Sequence, residues 1–167
     1  MQTPSLSDYA TYPSLAGRTV FVTGGSSGIG ADIVIAYARQ GAKVGFTGRN
    51  AEAAAKVVEA ASALGPTPLF LQSDAADVAA LKSAIATTAE RFGDIGVLVN
   101  NVANDQRHNL ADVTQEDFDW RVAINLRPAF FAAQSVVEGM KRLGGGAIVN
   151  LGSISWMIKG AGYPVYA

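Results

Sequence analysis

The chain of 167 residues has no cysteine, so neither a disulfide framework nor a thiolate metal site is open to it. It has one histidine, His108. That ring has no ligand partners at metal spacing beside it, so no metal centre is expected. Charge is scarce and balanced, with 13 Lys and Arg against 14 Asp and Glu and a formal net charge of −1. No basic field is present to attract nucleic acid or an anionic membrane. No apolar run approaches the roughly 20 residues of a transmembrane helix. The first 17 residues carry Pro4, Asp8 and Pro13 and no apolar stretch, unlike a secretory signal. A cytoplasmic protein is the default expectation. What the chain does have is apolar substance: 49% of its residues are hydrophobic and 16% charged. That composition fits a packed core and excludes general disorder. The length suggests one domain, expected over 18–167, with 1–17 as an N-terminal extension.

The apolar residues fall into short β-branched runs that alternate with helical spacing, without a linker or a low-complexity block. Strands are expected at Thr19–Thr23, Lys43–Thr47, Leu69–Ser73, Ile95–Val99 and Ala147–Leu151. Helices are expected at Ile29–Gln40, closed by Gly41 as a C′ glycine, and at Ala51–Leu64, capped by Asn50 and ended by Gly65-Pro66. A third helix, Val78–Phe92, has Asp77 as its cap. Thr114 with Asp117 resembles a capping box for one long helix reaching about Arg142. Right-handed crossovers between parallel strands then give the order 3-2-1-4-5, an α/β doubly wound parallel sheet.

The most informative segment is Val20 to Gly30, Val-Phe-Val-Thr-Gly-Gly-Ser-Ser-Gly-Ile-Gly. An apolar strand runs into a glycine-rich turn that opens a helix. Gly24, Gly28 and Gly30 let the backbone turn sharply and approach a pyrophosphate. Ser26, Ser27 and Ile29 sit where the free N–H groups of the helix start would face phosphate oxygens. A tight βα turn without a ligand would need the same glycines. The strand before, the helix after and the second strand at 43–47 favour a dinucleotide in a Rossmann-like site. A site for NAD would place Asp or Glu about 20 residues after the turn to hold the ribose hydroxyls. Here Gly48 occupies that region and Arg49 follows, and an arginine pairs with a 2′-phosphate. NADP is the expected cofactor, with NAD possible.

The spacing Thr-Gly-x-x-x-Gly-x-Gly resembles the short-chain dehydrogenase/reductase family. Three further segments in the right order are similar to that family. Asn100-Asn101-Val102-Ala103 resembles its Asn-Asn-Ala-Gly after the fourth strand, with the last two positions changed. Asn125 stands where the family has a helix-borne catalytic Asn. Ser153 and Tyr166, thirteen positions apart, match the spacing of its Ser and Tyr. The resemblance implies that Tyr166 transfers the proton at the carbonyl or alcohol oxygen, that Ser153 hydrogen-bonds the same oxygen, and that Asn125 holds a water of the proton relay. Asp74 would touch the adenine, Asn100 would sit at the carboxyl edge of the sheet, and Ala103 would add a methyl near the cofactor. Each residue also has a plainer reading. Ser153 is a loop hydroxyl, Tyr166 is one of five tyrosines, Asp74 caps a turn, and Asn125 satisfies backbone beside a kink at Pro128.

The family also carries two more strands and a lysine four residues after its tyrosine, and no lysine follows Tyr166 here. The strand at 147–151 would leave an apolar edge open to pairing or aggregation. The expectation is a fragment or part of a longer polypeptide, homo-oligomeric when full length. The alternative is a truncated binding module without turnover.

Within the family, Asn104-Asp105-Gln106-Arg107-His108 and Gly152-Ser153-Ile154-Ser155-Trp156 resemble sugar (aldose) 1-dehydrogenases. Asn104, Asp105 and His108 suit hydroxyl recognition, and Trp156 suits stacking on a sugar face. A generic polar loop, or a 3-oxoacyl-type carbonyl reductase, remains the alternative. Glu116, Asp117 and Asp119 read as a helix first turn. Trp120, Phe130 and Phe131 read as core or interface.

Overall fold

The structure, a computed structural model, describes residues 10–158 and 162–166. Five parallel strands form one sheet: β1 (Thr19–Val22), β2 (Lys43–Gly48), β3 (Leu69–Gln72), β4 (Val97–Asn100) and β5 (Ala147–Asn150), in the order β3-β2-β1-β4-β5. The expected order is therefore the observed one, and each strand end lies within two residues of its expected place. Five helices cover the sheet: α1 (Gly28–Arg39), α2 (Ala51–Ser62), α3 (Val78–Phe92), α4 (Gln115–Asn125) and α5 (Arg127–Arg142).

The strands alternate their side chains between two apolar cores, which is why they read as continuous hydrophobic runs. Val20 and Val22 of β1 and Val97 and Val99 of β4 face Val34 and Ala54, from α1 and α2. Phe21 and Leu98, between them, face Leu81, Ile85, Ala132 and Val136, from α3 and α5. The helix caps follow the sequence. Asn50, Asp77 and Thr114 accept the N–H groups of Ala53, Ala80 and Asp117 at 3.0, 3.0 and 3.2 Å. Gly41 ends α1 with φ 80°.

One expectation is corrected. The single helix from 114 to about 142 is two helices, broken at Leu126 with φ −115° and ψ −50°. Pro128 has no N–H to donate and crowds the carbonyl four residues back. The same proline suits the first turn of a new helix, where no donor is needed. A break between α4 and α5 therefore replaces a kink.

Every residue of β5 is exposed, with Ile148 at 39% and Val149 at 43%. Among the described residues no helix is long and apolar enough to cross a membrane, and no group of three His, Asp or Glu side chains could hold a metal ion.

Candidate active site

The carboxyl ends of β1, β2, β3 and β4 open onto one cleft of about 430 Å³. Its floor is the glycine-rich turn: Gly24, Ser26, Ser27, Ile29 and Gly30 line it. The turn lies close against the start of α1. A Cβ built on Gly30 would fall 2.1 Å from Gly24 O and 2.5 Å from Asn101 Nδ2, so no larger residue fits without moving backbone. Gly28 opens α1 with φ 54° and empty space beside it.

Two features suit this floor to a phosphate group. First, α2, α3 and α4 are each capped by a side chain, whereas α1 and α5 are not, and of those two only the start of α1 lines the cleft. The helix start that opens on the cleft leaves its N–H groups for an anion. Second, Thr47 Oγ1 is buried without a partner on the cleft wall, a polar group that a bound ligand would satisfy. The residues present therefore fit a dinucleotide.

Beside Thr47 the wall continues through Gly48, Arg49 and Asn50. A Cβ at Gly48 would lie 2.3 Å from Ser26 Oγ, so Ser26 occupies the space that an acidic side chain at this position would enter. Arg49 is exposed at the rim. Asp74 lines the far wall, and its carboxylate accepts the Ala76 N–H at 2.9 Å. It thus caps a turn and borders the cleft at once.

Ala103 and Asn104 line the opposite wall. Asn100 does not. Its Nδ2 donates to Asn150 Oδ1 at 2.8 Å, and its Oδ1 is buried without a partner. Asn101 takes the place expected for it, donating Nδ2 to Thr23 O at 3.0 Å and Gly24 O at 3.1 Å. Strand parity explains the exchange. Asn100 shares the face of Leu98 and points to α5, while Asn101, leaving the strand, reaches the turn.

Asn125 spends its side chain on the loop after β4. Its Oδ1 accepts the Asn104 N–H at 2.7 Å, and its Nδ2 donates to Asn104 O at 3.2 Å. Asp105 is exposed on that loop, and both nitrogens of His108 are engaged within the protein. Ser153, half-buried, accepts the Ser155 N–H at 3.1 Å. Trp156 is 68% exposed on the same segment. Tyr166 lies with its ring 6.1 Å from that of Tyr163. Ser153, Trp156 and Tyr166 are not among the residues that line the cleft. Ser153 and Trp156 follow β5, and Tyr166 lies in the segment that meets the loop after β4 at His108.

One residue of α4 departs from expectation. Trp120, read as core or interface, lines the cleft and is 42% exposed. Arg121 is instead the buried residue of α4. Phe130 is 62% exposed and meets Phe131 edge to face. Glu116 keeps its first-turn role. Its own backbone N–H and the Thr114 hydroxyl hold its carboxyl below the usual range, so it stays ionised near the positive helix end.

The short chain dehydrogenase family profile matches residues 18–167. The chain belongs to this family. It is 47% identical over 148 residues, 88% of its length, to a D-xylose 1-dehydrogenase of Caulobacter vibrioides, and covers 58% of that protein. It is 38% identical to an L-rhamnose 1-dehydrogenase (NAD(P)(+)) of Azotobacter vinelandii over 88% of the chain and 59% of the relative. A short-chain dehydrogenase/reductase from Serratia marcescens superposes with a TM-score of 0.87 at 36% identity, over 93% of this chain and 63% of that one. The chain thus spans about 60% of the length of these relatives.

Proposed function

We propose that the protein is an oxidoreductase that converts a cyclic aldose to its lactone with NADP. The observation that carries this reading is the polar loop at the cleft mouth. Asn104 lines the cleft with its backbone clamped in both directions by Asn125, and Asp105 stands exposed beside it. The Asn104 side chain is held by the Gln106 N–H on its Oδ1 at 3.0 Å, and an amide N–H donor beside a carboxylate acceptor suits hydroxyls. The names of two relatives, a D-xylose and an L-rhamnose 1-dehydrogenase, support it.

Gly24, Ser26, Ser27, Gly28, Ile29 and Gly30 would hold the pyrophosphate on backbone N–H groups, Arg49 the 2′-phosphate, and Asp74 and Ala103 would border the adenine and nicotinamide halves. A bound nicotinamide supplies the hydride acceptor. The chain's own residues handle the proton. Tyr166 takes it from the anomeric hydroxyl, and Ser153 hydrogen-bonds that oxygen as charge develops on it. Trp156, exposed next to Ser153, offers a face on which a sugar ring stacks.

A second reading draws on one observation. Ile154, Trp156, Met157 and Ile158 are each more than 60% exposed, a surface that suits an apolar acyl chain and hence a 3-oxoacyl-type reductase. The deciding experiment tests pentoses, hexoses and 3-oxoacyl thioesters with the full-length protein. Sugar oxidation with NADP is the expected result. Thioester reduction without sugar oxidation would transfer the assignment to the second reading.

A further inference from the structure

His108 lies on the loop between β4 and α4, and its ring bonds fix its chemical state. Nδ1 is 2.9 Å from Gln106 O, and Nε2 is 3.2 Å from Val165 N. A carbonyl oxygen only accepts and an amide N–H only donates. Nδ1 therefore carries the hydrogen, Nε2 accepts, and the ring is neutral. No ring nitrogen is left for a substrate hydroxyl.

The same residue's backbone N–H donates to Gly162 O at 3.0 Å. The Arg107 guanidinium stands 5.5 Å from the Tyr163 ring, which in turn meets Tyr166. The segment that bears Tyr166 thus rests on this loop, and the imidazole bond falls on the residue directly before the tyrosine. The loop is itself fixed from behind. Arg121, 5% exposed, donates NH1 to Gln106 O at 3.1 Å, the carbonyl that His108 also uses. Its Nε donates to Asp117 Oδ2 at 2.9 Å. Asp117, Arg121 and Asn125 recur at a spacing of four and share one face of α4. That face grips Gln106 through Arg121 and Asn104 through Asn125.

We propose that His108 is a positioning residue for Tyr166, a neutral imidazole latch that ties the 162–166 segment through Gln106 O and Arg121 to α4. This rests on the reading of Tyr166 as the proton-transferring group. A misplaced acid/base group costs turnover rather than binding, since displacement by about 1 Å lowers rates ~100-fold.

The test uses the full-length protein and the substrate it turns over best. His108→Ala should lower kcat about tenfold to a hundredfold, with the substrate KM and the NADP dissociation constant changed no more than about twofold. His108→Gln puts an amide oxygen where Nε2 stood, able to accept from Val165 N–H, and should recover most of the loss. A raised KM with unchanged kcat in His108→Ala would make the residue a substrate contact and overturn the proposal. So would a Gln variant no better than Ala. Tyr166→Phe, run in parallel, should lose nearly all turnover. Retained turnover there overturns the function assigned to Tyr166, and with it a residue that positions it. Nitrogen NMR of the imidazole, assigned by the signal that His108→Gln removes, needs no turnover. An accepting Nε2 and a protonated Nδ1 are expected, and an Nε2–H ring refutes the latch whatever Tyr166 does.

Discussion

Gly30→Ala tests whether the cleft floor is as tight as its geometry says. The new methyl would sit 2.1 Å from Gly24 O and 2.5 Å from Asn101 Nδ2. Neither neighbour yields cheaply. Gly24 O is backbone, and Asn101 Nδ2 already donates to Thr23 O and Gly24 O. Overpacking of this kind costs about 1–3 kcal/mol, and breaking one of the amide bonds adds ~1 kcal/mol. Alanine returns up to ~1 kcal/mol of helix propensity, because Gly30 lies in the first turn of α1. The net loss is about 1–3 kcal/mol. For a chain of this size that lowers the melting temperature by roughly 2–12 °C. The floor must also swing away from α1, and loss of one N–H bond to the phosphates, about 1.5 kcal/mol, should lower NADP affinity about tenfold. Gly28→Ala is the control. Nothing lies within 4 Å of its added methyl, and only the left-handed φ of 54° opposes it, at roughly 1–2 kcal/mol. Gly28→Asn should relieve part of that cost, because asparagine tolerates this conformation, whereas no substitution relieves Gly30. Thermal melts and fluorescence titration with NADPH read both quantities. Wild-type melting and affinity in Gly30→Ala would refute the close approach of turn and helix.

Local signals with one physical answer were legible in the sequence. The cap residues Asn50, Asp77 and Thr114 stand where a carboxamide, a carboxylate and a hydroxyl replace the missing helical acceptor, and each makes the expected bond. The strand order followed from alternating elements and the handedness of crossovers. What stayed hidden depended on parity, burial or distance in sequence. Asn100 and Asn101 both suit a cofactor edge, and only the pleat decides that one faces Asn150 and the other the turn. Counting by two from the buried Leu98 would have assigned Asn100 to the α5 side. α4 inverts the usual pattern, with Arg121 buried and Trp120 exposed. Hydrophobic periodicity cannot find such a helix. The capping box at Thr114 marks its start, and the spacing Asp117, Arg121, Asn125 marks its buried polar face. The partners of His108 lie 2 and 57 residues away. Its residue type suggested recognition of a ligand, and only the fold shows the ring saturated by the chain itself.

Two charge pairs give further tests. Arg142 forks onto Asp94, Nε to Oδ2 at 2.9 Å and NH2 to Oδ1 at 2.6 Å, joining the end of α5 to the approach to β4. The Arg142 hydrogen bonds hold the Asp94 carboxyl below its ordinary range. A depressed carboxylate stabilises the fold above its unfolded pKa and loses that effect as pH falls through its folded one. Asp94→Asn should therefore lower the urea midpoint most near pH ~7, and the gap from wild type should close on the acid side of pH ~4; a gap constant with pH would refute the pairing. The second pair is the one proposed between Arg49 and the cofactor. Arg49 stands exposed at the rim, and Ser26 fills the space over Gly48 that an acidic side chain would need. Hydrogen bonds to a charged group contribute about 1.5–3 kcal/mol, and exposure to solvent puts this pair at the low end. Arg49→Ala should thus weaken NADP binding about tenfold. NAD lacks the 2′-phosphate, so its affinity should change less than about twofold. The NADP advantage of the wild type should shrink as salt rises from ~0.05 to ~0.5 M, because screening acts on an exposed charge pair. Gly48→Asp should turn the preference towards NAD only if Ser26 is also cut to glycine, since the new carboxylate and the Ser26 hydroxyl compete for one volume. Equal losses for both cofactors in Arg49→Ala, or a wild type that prefers NAD, would refute the assignment of Arg49.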